Sequence, residues 1–413
     1  MADNIHSQMK NNPGIKTKLG ALALAFIAVA PSLHAQLTLP SAADGTDGAL
    51  IISSSTNIDL SQAGNGPWTS ASAKPGFGTY DPAQWAVVFK YSSVSIASGA
   101  TVSFVNNATH APVVWLVQST VVINANGAIS LDGQPDTGGA TPAEPGPGGF
   151  RGGVATGGGL AAGFGPGGGF ATVGYYSSTH AYGNPQILPL IGGSGGQGES
   201  GWGGGGAGGG AMLIAAGGTI TVNGSCHANG GGGSHHFVSY AGSGGGIRLV
   251  ANQILGGGSL SAAGSDSGRI RLECTNTTFG LSSINPTPTT LTLSGGATPV
   301  IFPANNAPTA TILSVSYSGQ TKFAPADPQA SLPVSGNDDI RIVTTNSTVV
   351  IQVKTTNFPT NGTVNVYVKP LTGSLTVYPL TVPVSGDSNA AIWQVSAPLA
   401  YPAHSIIQAR AVY

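Results

Sequence analysis

Few side chains in this sequence could carry out chemistry, and their densest group follows residue 131. The group consists of three acids and one basic residue: Asp132, Asp136, Glu144 and Arg151. Paired carboxyl groups could hydrolyse a glycosidic bond, and a basic residue beside calcium could support β-elimination from a polysaccharide. The same residue types suit turns of a hydrated loop. We favour the loop, because only 7% of the residues are charged and an active cleft would gather more.

A second group has the ligand types of a transition-metal site. Its members are Cys226, His227, His235 and His236. Their spacing fits no standard zinc motif, and neighbours on one strand point to opposite faces, which would separate Cys226 from His227. We therefore predict no metal site, and keep His227, His235 and His236 as the alternative ligands.

Calcium is the alternative cofactor, because oxygen ligands on loops build extracellular calcium sites. The candidate ligands are Asp44, Asp47, Asp59, Asp132 and Asp136. Aspartate is also an ordinary turn residue, and the repeated Gly-Gly-x-Gly-x-Asp pattern of calcium-binding β-rolls is missing. The sequence thus predicts no required cofactor.

The candidate binding residues are basic or aromatic. Arg248 and Arg271 occupy matching positions in two copies of a repeated strand, so their charges would repel without an acidic partner such as Glu273. That pairing is the structural interpretation, and an anionic sugar is the functional alternative. The aromatic candidates lie in a long Gly-rich loop, where they would either pin the loop or bind a ligand: Tyr175, Tyr176 and Trp202.

Composition limits the class of protein. Of 413 residues, 65 are Gly, and the net charge of −1 leaves no basic footprint for nucleic acid. With 40% hydrophobic residues the chain can bury a large core. Cys226 and Cys274 could form a disulfide in an oxidising compartment, or they could be two buried thiols that pack as small apolar side chains.

Residues 1–35 have the features of a secretory signal peptide. A basic segment precedes an apolar stretch at 19–30, and Ala35 completes a small-residue cleavage site. We predict a mature chain that begins at Gln36 and lies outside the cell or on its surface. No later stretch is long and apolar enough to span a bilayer.

A unit of two short strands recurs along the chain. Each copy is apolar on alternate residues and closes on Gly, and the copies lie at 120–133, 218–230, 245–264 and 268–273. Repetition at this scale predicts stacked coils. Polar residues alternate with the apolar ones, and this alternation predicts short strands with one buried face.

Insertions separate the copies, and the longest is the Gly-rich segment 133–210. All of them leave from the same turn, so the stacked coils should place them along one edge. Asp132, Asn229 and Ala263 each precede the closing Gly, and Asp or Asn at that position fits a turn.

Alignment of the copies predicts which side chains face the interior, because side chains alternate along a strand. The predicted inward residues are Val114, Leu116, Met212, Ile214, Ile247, Leu249, Ile270 and Leu272. The predicted outward column is Trp115, Leu213, Arg248 and Arg271. Half of that column is apolar, so another segment of the chain should cover it.

The coils, as in TITVNG and AISLDG, resemble the right-handed parallel β-helix of the pectin-lyase-like superfamily, above all its Gly-rich secreted bacterial members. The resemblance covers about 85–300. It implies a β-solenoid and leaves the activity open, because that architecture hosts lyases, hydrolases, adhesins and passive surface proteins. The short strands near the C-terminus resemble immunoglobulin-like or fibronectin-III-like modules.

We therefore predict an all-β chain, with a parallel β-helix (β-solenoid) that carries long Gly-rich loop insertions and an antiparallel β-sandwich after it. The predicted domains are an N-terminal cap at 36–82, the β-helix at 83–300 and the sandwich at 301–413. The predicted function is structural or adhesive and non-enzymatic, with polysaccharide, cell-envelope or matrix components as partners. The alternative is a polysaccharide lyase or glycoside hydrolase that acts at the loop-bearing edge.

Overall fold

The computed structural model describes most of the chain after residue 36. The described residues are 37–136, 143–152, 183–196, 203–233, 241–275, 283–294, 296–304, 306–317, 320–323, 348–370, 374–399 and 405–412. Tyr175, Tyr176, Trp202, His235 and His236 lie outside these ranges. Within the described residues, no helix has the length and apolar character needed to cross a membrane.

Nineteen short strands and one 3₁₀ turn precede residue 293. The 3₁₀ turn is Leu60–Gln62. The strands are β1 (Ala49–Ile52), β2 (Thr56–Asp59), β3 (Gly64–Asn65), β4 (Thr79–Asp81), β5 (Ala86–Tyr91), β6 (Ser93–Ile96), β7 (Thr101–Val105), β8 (Val113–Val117), β9 (Val121–Ile123), β10 (Ala128–Ser130), β11 (Ala211–Ala216), β12 (Thr219–Val222), β13 (Ser225–His227), β14 (Gly246–Ala251), β15 (Gln253–Leu255), β16 (Ser259–Ser261), β17 (Arg269–Cys274), β18 (Ser283–Asn285) and β19 (Thr289–Thr292).

These strands form three sheets that the chain visits in rotation. Sheet A has the order β1-β6-β9-β12-β15, sheet B the order β18-β16-β13-β10-β7-β2, and sheet C the order β19-β17-β14-β11-β8-β5-β4-β3. From β5 to β16 each set of three strands runs through sheets C, A and B, and the neighbours in each sheet pair in parallel. The parallel sheets already include β1 and β2, which belong to the segment predicted as a cap.

The inner faces of the three sheets share one hydrophobic core, because apolar side chains recur at every second residue. Met212, Ile214, Ile247, Leu249, Ile270 and Leu272 belong to this core, as the sequence predicts. The prediction for 114–116 is wrong by one residue. Ile214 pairs with Trp115, which is buried in the core, so Val114 and Leu116 face outward.

The outer face of sheet C is covered by other parts of the chain, as its apolar outward residues predict. Leu37 and Ala43 of the N-terminal segment, Ile187 and Leu190 of the long insertion, and Ile301 after β19 pack on it in a second hydrophobic cluster. These segments bury the outer face of sheet C, and the described part of the long insertion around Ile187 and Leu190 packs against that face.

Cys226 and Cys274 are both buried and are not disulfide-bonded. They lie on β13 and β17, in two different sheets, and both face the common core. Burial raises the pKa of the Cys226 thiol to about 12, and the negative charge of Asp132 acts in the same direction. The structure therefore departs from the disulfide candidate and has the other predicted arrangement, in which the two thiols are small core residues.

The C-terminal strands pair only with antiparallel neighbours. They are β20 (Thr309–Tyr317), β21 (Gln320–Phe323), β22 (Thr348–Thr356), β23 (Thr363–Pro370), β24 (Thr376–Leu380), β25 (Ser385–Gly386), β26 (Ala390–Pro398) and β27 (Ser405–Val412). Sheet D has the order β21-β20-β22-β26-β25 and sheet E the order β24-β23-β27. The two sheets share a separate core around Trp393, Ile351 and Val366. The whole described chain is thus all-β.

Candidate functional site

The Gly-rich insertions leave the sheets at one recurring position. They follow β10, β13 and β16, each of which belongs to sheet B, and they precede β11, β14 and β17 of sheet C. The prediction that they share one edge is confirmed by this strand order. The bases of the insertions therefore lie on a single side of the sheets.

The bases of the second and third insertions are each held by a side chain at the base of the insertion before. Asp132 Oδ1 accepts a hydrogen bond from the main-chain N–H of Asn229 at 2.6 Å. Asn229 Oδ1 in turn accepts from the N–H of Ala263 at 2.9 Å and from the hydroxyl of Ser261 at 2.6 Å. Asp132 and Asn229 each satisfy a main-chain donor at the start of the next insertion, and among the described residues no bond to a turn of their own accounts for them.

Beyond these turns, the described parts of the insertions pack together as a bundle of extended chains. We call it the glycine bundle, and define it as the segments 131–136, 143–152, 191–196, 203–210, 228–233, 241–246 and 262–268. Backbone hydrogen bonds join these segments to one another. The bundle has almost no side chains to form a core, so the peptide groups themselves hold it together.

The central segment of the glycine bundle, 203–210, bonds to five of the others. Its consecutive N–H groups diverge: Gly208 donates to Phe150 O, Gly209 to Ser243 O and Gly210 to Leu131 O, at 2.7–2.9 Å. A β-strand would direct alternate groups into one plane. Divergence at consecutive residues instead fits an extended chain with three residues per turn, whose backbone groups bond only outside the chain.

Glycine is required in the bundle because the chains approach to backbone contact. A Cβ on Gly206, Gly208 or Gly245 would lie well inside 3.0 Å of a main-chain carbonyl oxygen of another segment. Such an atom would meet rigid backbone, which cannot rotate away as a side chain can. The Gly tracts therefore form an ordered structural unit in which most positions reject a side chain.

Several described segments of the glycine bundle end near one another at its outer end, away from the sheets. Gly210 N–H bonds to Leu131 O beside the strands, whereas Gly204 N–H bonds to Asp136 Oδ2 at the opposite end of the central segment. Gly196 lies level with that outer end, because its N–H donates to Gly206 O at 2.8 Å. The described segments 131–136 and 191–196 thus end at the same end of the bundle.

A polar cluster lies beside the bundle, where 143–152 passes the loop between β7 and β8. Glu144 accepts from Arg151 Nη2 at 2.8 Å, and its other oxygen lies 3.0 Å from His110 Nε2. The Glu144 side chain is 51% exposed, whereas His110 is 5% and Arg151 18% exposed. The carboxylate is therefore exposed to solvent and is held in place by the His110 ring and the Arg151 guanidinium group.

The environment of Glu144 keeps its carboxyl group ionised. Partial burial is the largest influence and acts to raise the pKa of Glu144, but it is outweighed by the hydrogen bond to His110 and the charge of Arg151. The resulting pKa of Glu144 lies below its ordinary value. An acid that protonates a leaving group needs a raised pKa, so Glu144 is unsuited to that role.

The four residues of the predicted catalytic group do not converge on one point. Asp132 Oδ2 lies 2.7 Å from His227 Nδ1. Asp136 is buried in the glycine bundle, where it accepts from Gly204 N–H. Only Glu144 and Arg151 meet. The arrangement can bind polar groups at the exposed carboxylate, but the two aspartates have structural partners elsewhere.

The described residues hold no group of three or more His, Cys, Asp or Glu side chains placed to bind a metal ion. Cys226 is buried in the core while its neighbour His227 is partly exposed, as strand geometry predicts. His235 and His236 lie outside the described residues.

The aspartates considered for calcium have turn or structural partners. Asp44 and Asp59 accept hydrogen bonds from residues two positions further on. Asp47 is buried, and its two oxygens accept from the main-chain N–H groups of Gly76 and Lys90. These contacts give Asp44, Asp47 and Asp59 turn or structural roles.

Arg248 and Arg271 face outward from sheet C and share Glu273, as predicted. Arg248 donates through Nε and Nη2 to the two oxygens of Glu273 at 2.9 and 3.1 Å, and Arg271 Nε donates at 2.8 Å. All three side chains are largely buried. The cluster is therefore an internal ion network beneath the cover of sheet C.

Two elements of the site escape sequence reasoning. His110 lies far from Glu144 in the chain and belongs to no motif, and only the tertiary fold brings them together. The glycine bundle has no side-chain pattern, although the density of Gly in 143–152 and 203–210 was a signal for it. No family model matches this chain, and no curated protein or solved structure matches it.

Proposed function

We propose that this is a secreted or cell-surface protein with a structural or adhesive role and no catalytic activity. It would bind polysaccharide, cell-envelope or matrix components through its Gly-rich and aromatic loops. The glycine bundle is the observation that carries this proposal. A hydrogen-bonded bundle in which several described segments end close together is suited to hold loops beside one another.

For the fold, the proposal is a pectin-lyase-like parallel β-helix at 83–300 followed by an immunoglobulin-like or fibronectin-III-like sandwich at 301–413. The rotation of successive strands through sheets A, B and C supports the first part. The single core shared by the antiparallel sheets D and E supports the second. Such a scaffold is rigid, which favours binding by preorganised loops.

The adhesive role is tested with the exported chain and immobilised preparations of cell envelope and matrix polysaccharide. The loop variant Tyr175→Ala/Tyr176→Ala/Trp202→Ala should lose about tenfold or more in retention, because aromatic anchors dominate such contacts. Tyr378→Ala on β24 is the matched control and should be retained like the unaltered chain. Failure of the unaltered chain to be retained by any preparation would overturn the adhesive role.

A polysaccharide lyase or glycoside hydrolase is the second candidate, favoured by the cluster of Glu144, Arg151 and His110. Hydrolysis requires a second carboxyl group across the scissile bond, and Asp132 and Asp136 are engaged elsewhere. The assay is release of reducing ends or unsaturated products from polysaccharides. Release by the unaltered chain that disappears in Glu144→Gln would establish this alternative over the non-enzymatic role.

A further inference from the structure

Trp85 and His110 both lie just before neighbouring strands of sheet C. Trp85 directly precedes β5 and His110 lies just before β8, and the two strands pair in parallel. Both residues have a left-handed backbone, with φ of 47° and 49°. Residues other than Gly avoid this conformation, and where it persists it is concentrated at sites that bind or react.

Hydrogen bonds attach Trp85 and Glu144 to adjacent residues of the same loop. The indole N–H of Trp85 donates to Thr109 O at 2.9 Å. The next residue, His110, holds Glu144. The polar edge of the indole is therefore occupied by the protein, and Trp85 packs partly against the core of sheets A, B and C while part of the residue stays exposed. The Trp85 and Glu144 side chains are thus both held by adjacent residues of the loop between β7 and β8.

The local charges define which ligand the site can accept. Glu144 presents acceptor oxygens to solvent, and Arg151 holds donor N–H groups directly beside them. An anion would be repelled by Glu144 and a cation by Arg151. A neutral molecule with adjacent hydroxyl groups satisfies both, because a hydroxyl can donate to the carboxylate and accept from the guanidinium.

We infer that Trp85, Glu144 and Arg151, with His110 as a positioning residue, form a binding site for a neutral sugar unit of a polysaccharide. The apolar C–H face of the sugar packs on the indole, and two neighbouring hydroxyls bond to the Glu144–Arg151 pair. The inference rests on the proposed adhesive function and assigns it a ligand class. It adds a site on the rigid scaffold to the loops considered above.

The experiment measures binding of the exported chain to three neutral polysaccharides (a mixed-linkage β-glucan, a galactomannan and dextran), with polygalacturonate as the charged comparison. Affinity electrophoresis and calorimetry give the dissociation constants. Glu144→Gln preserves shape and Trp85→Leu removes the ring. Each should weaken binding of a neutral polysaccharide by about tenfold or more. Trp68→Leu is the control, because Trp68 packs on Phe302 over the outer face of sheet C.

Circular dichroism first establishes whether each variant is folded. If Trp85→Leu is not folded, Glu144→Gln alone tests the proposed site. Binding should also be nearly independent of salt, since the ligand is neutral. Loss of binding in Glu144→Gln, with Trp68→Leu unchanged, supports the site. Unchanged binding in Glu144→Gln overturns it, and loss confined to the Tyr175/Tyr176/Trp202 loop variant would then leave the adhesive function standing. Preference for polygalacturonate, or no polysaccharide bound at all, also overturns the inference.

Discussion

Gly208 and Gly193 face each other in the glycine bundle with no space for a side chain between them. A Cβ on Gly208 would lie well inside 3.0 Å of the Gly193 carbonyl oxygen, closer than real Cβ atoms approach. The same pair of segments is joined by the hydrogen bond from Gly193 N–H to Gly209 O at 2.8 Å. Peptide groups thus replace side chains as the packing material of this unit.

Gly208→Ala should destabilise the protein strongly, because the new methyl group meets backbone on a chain that is surrounded by others. We expect a loss of about 3 kcal/mol or more in the free energy of unfolding, at or above the upper end for overpacking. Thermal unfolding followed by circular dichroism measures it. Hydrogen exchange should also speed up at Gly209 and Gly210, whose N–H groups would be exposed.

Gly232→Ala is the matched control within the same bundle. A Cβ at Gly232 meets nothing within 4 Å. Its substitution should change stability by about 0.5 kcal/mol or less, as for ordinary surface positions. Equal effects of the two substitutions would contradict the account of the bundle as a backbone-packed unit.

The strands of sheets A, B and C could be predicted from the sequence, because apolar residues alternate with Ser, Thr and Gln along them. The side-chain directions in 114–116 could not. Val113 to Val117 is apolar at every position, since both faces of sheet C are buried there. There is then no alternation of apolar and polar residues from which to predict the side-chain directions. Only the pairing of Trp115 with Ile214 determines the register.

The candidate site could be predicted in part. Glu144 and Arg151 are close in the sequence and do meet, whereas Asp132 and Asp136 are close in the sequence and turn to other partners. The spacing of residues along the sequence cannot reveal His110. Its contact with Glu144 depends on how the long insertion packs against the loop between β7 and β8. The glycine bundle is equally non-local, since Gly208, Gly209 and Gly210 donate to three different segments and leave no periodic side-chain pattern.

Removal of Glu273 should be more costly than removal of Arg271. Glu273→Leu leaves two buried guanidinium groups without a counter-charge, which costs about 3–5 kcal/mol when a buried pair is broken. Arg271→Leu keeps the two-point contact between Arg248 and Glu273, and should cost less. Urea unfolding of both variants measures the difference. A larger loss in Arg271→Leu would show that Glu273 is not the centre of the network.

The contribution of Glu144 to stability should depend on pH. Its pKa is lower in the folded protein than the ordinary value of 4.5, so the ionised carboxylate favours the folded state. This contribution is complete above about pH 4.5 and is lost as the pH falls through the folded pKa. Because the side chain is half exposed, we expect at most about 1 kcal/mol.

The measurement is the difference in unfolding free energy between the unaltered chain and Glu144→Gln at pH 7 and at pH 3. The difference should be present at pH 7 and shrink at pH 3, where a protonated Glu144 resembles Gln. A difference of the same size at both pH values would indicate that packing and not charge distinguishes the two side chains.

The two cysteines should be unreactive in the folded protein and fully reactive after unfolding. The thiolate is the reactive form, and burial raises the pKa of Cys226 to about 12, so almost none is ionised at pH 8. Cys274 is likewise buried in the core. Maleimide labelling without reductant, followed by mass spectrometry, should add no label to the native chain and two labels in guanidinium chloride. If the denatured chain took up no label until a reductant was added, the cysteines would be joined in a disulfide, and the two separate core positions on β13 and β17 would be refuted.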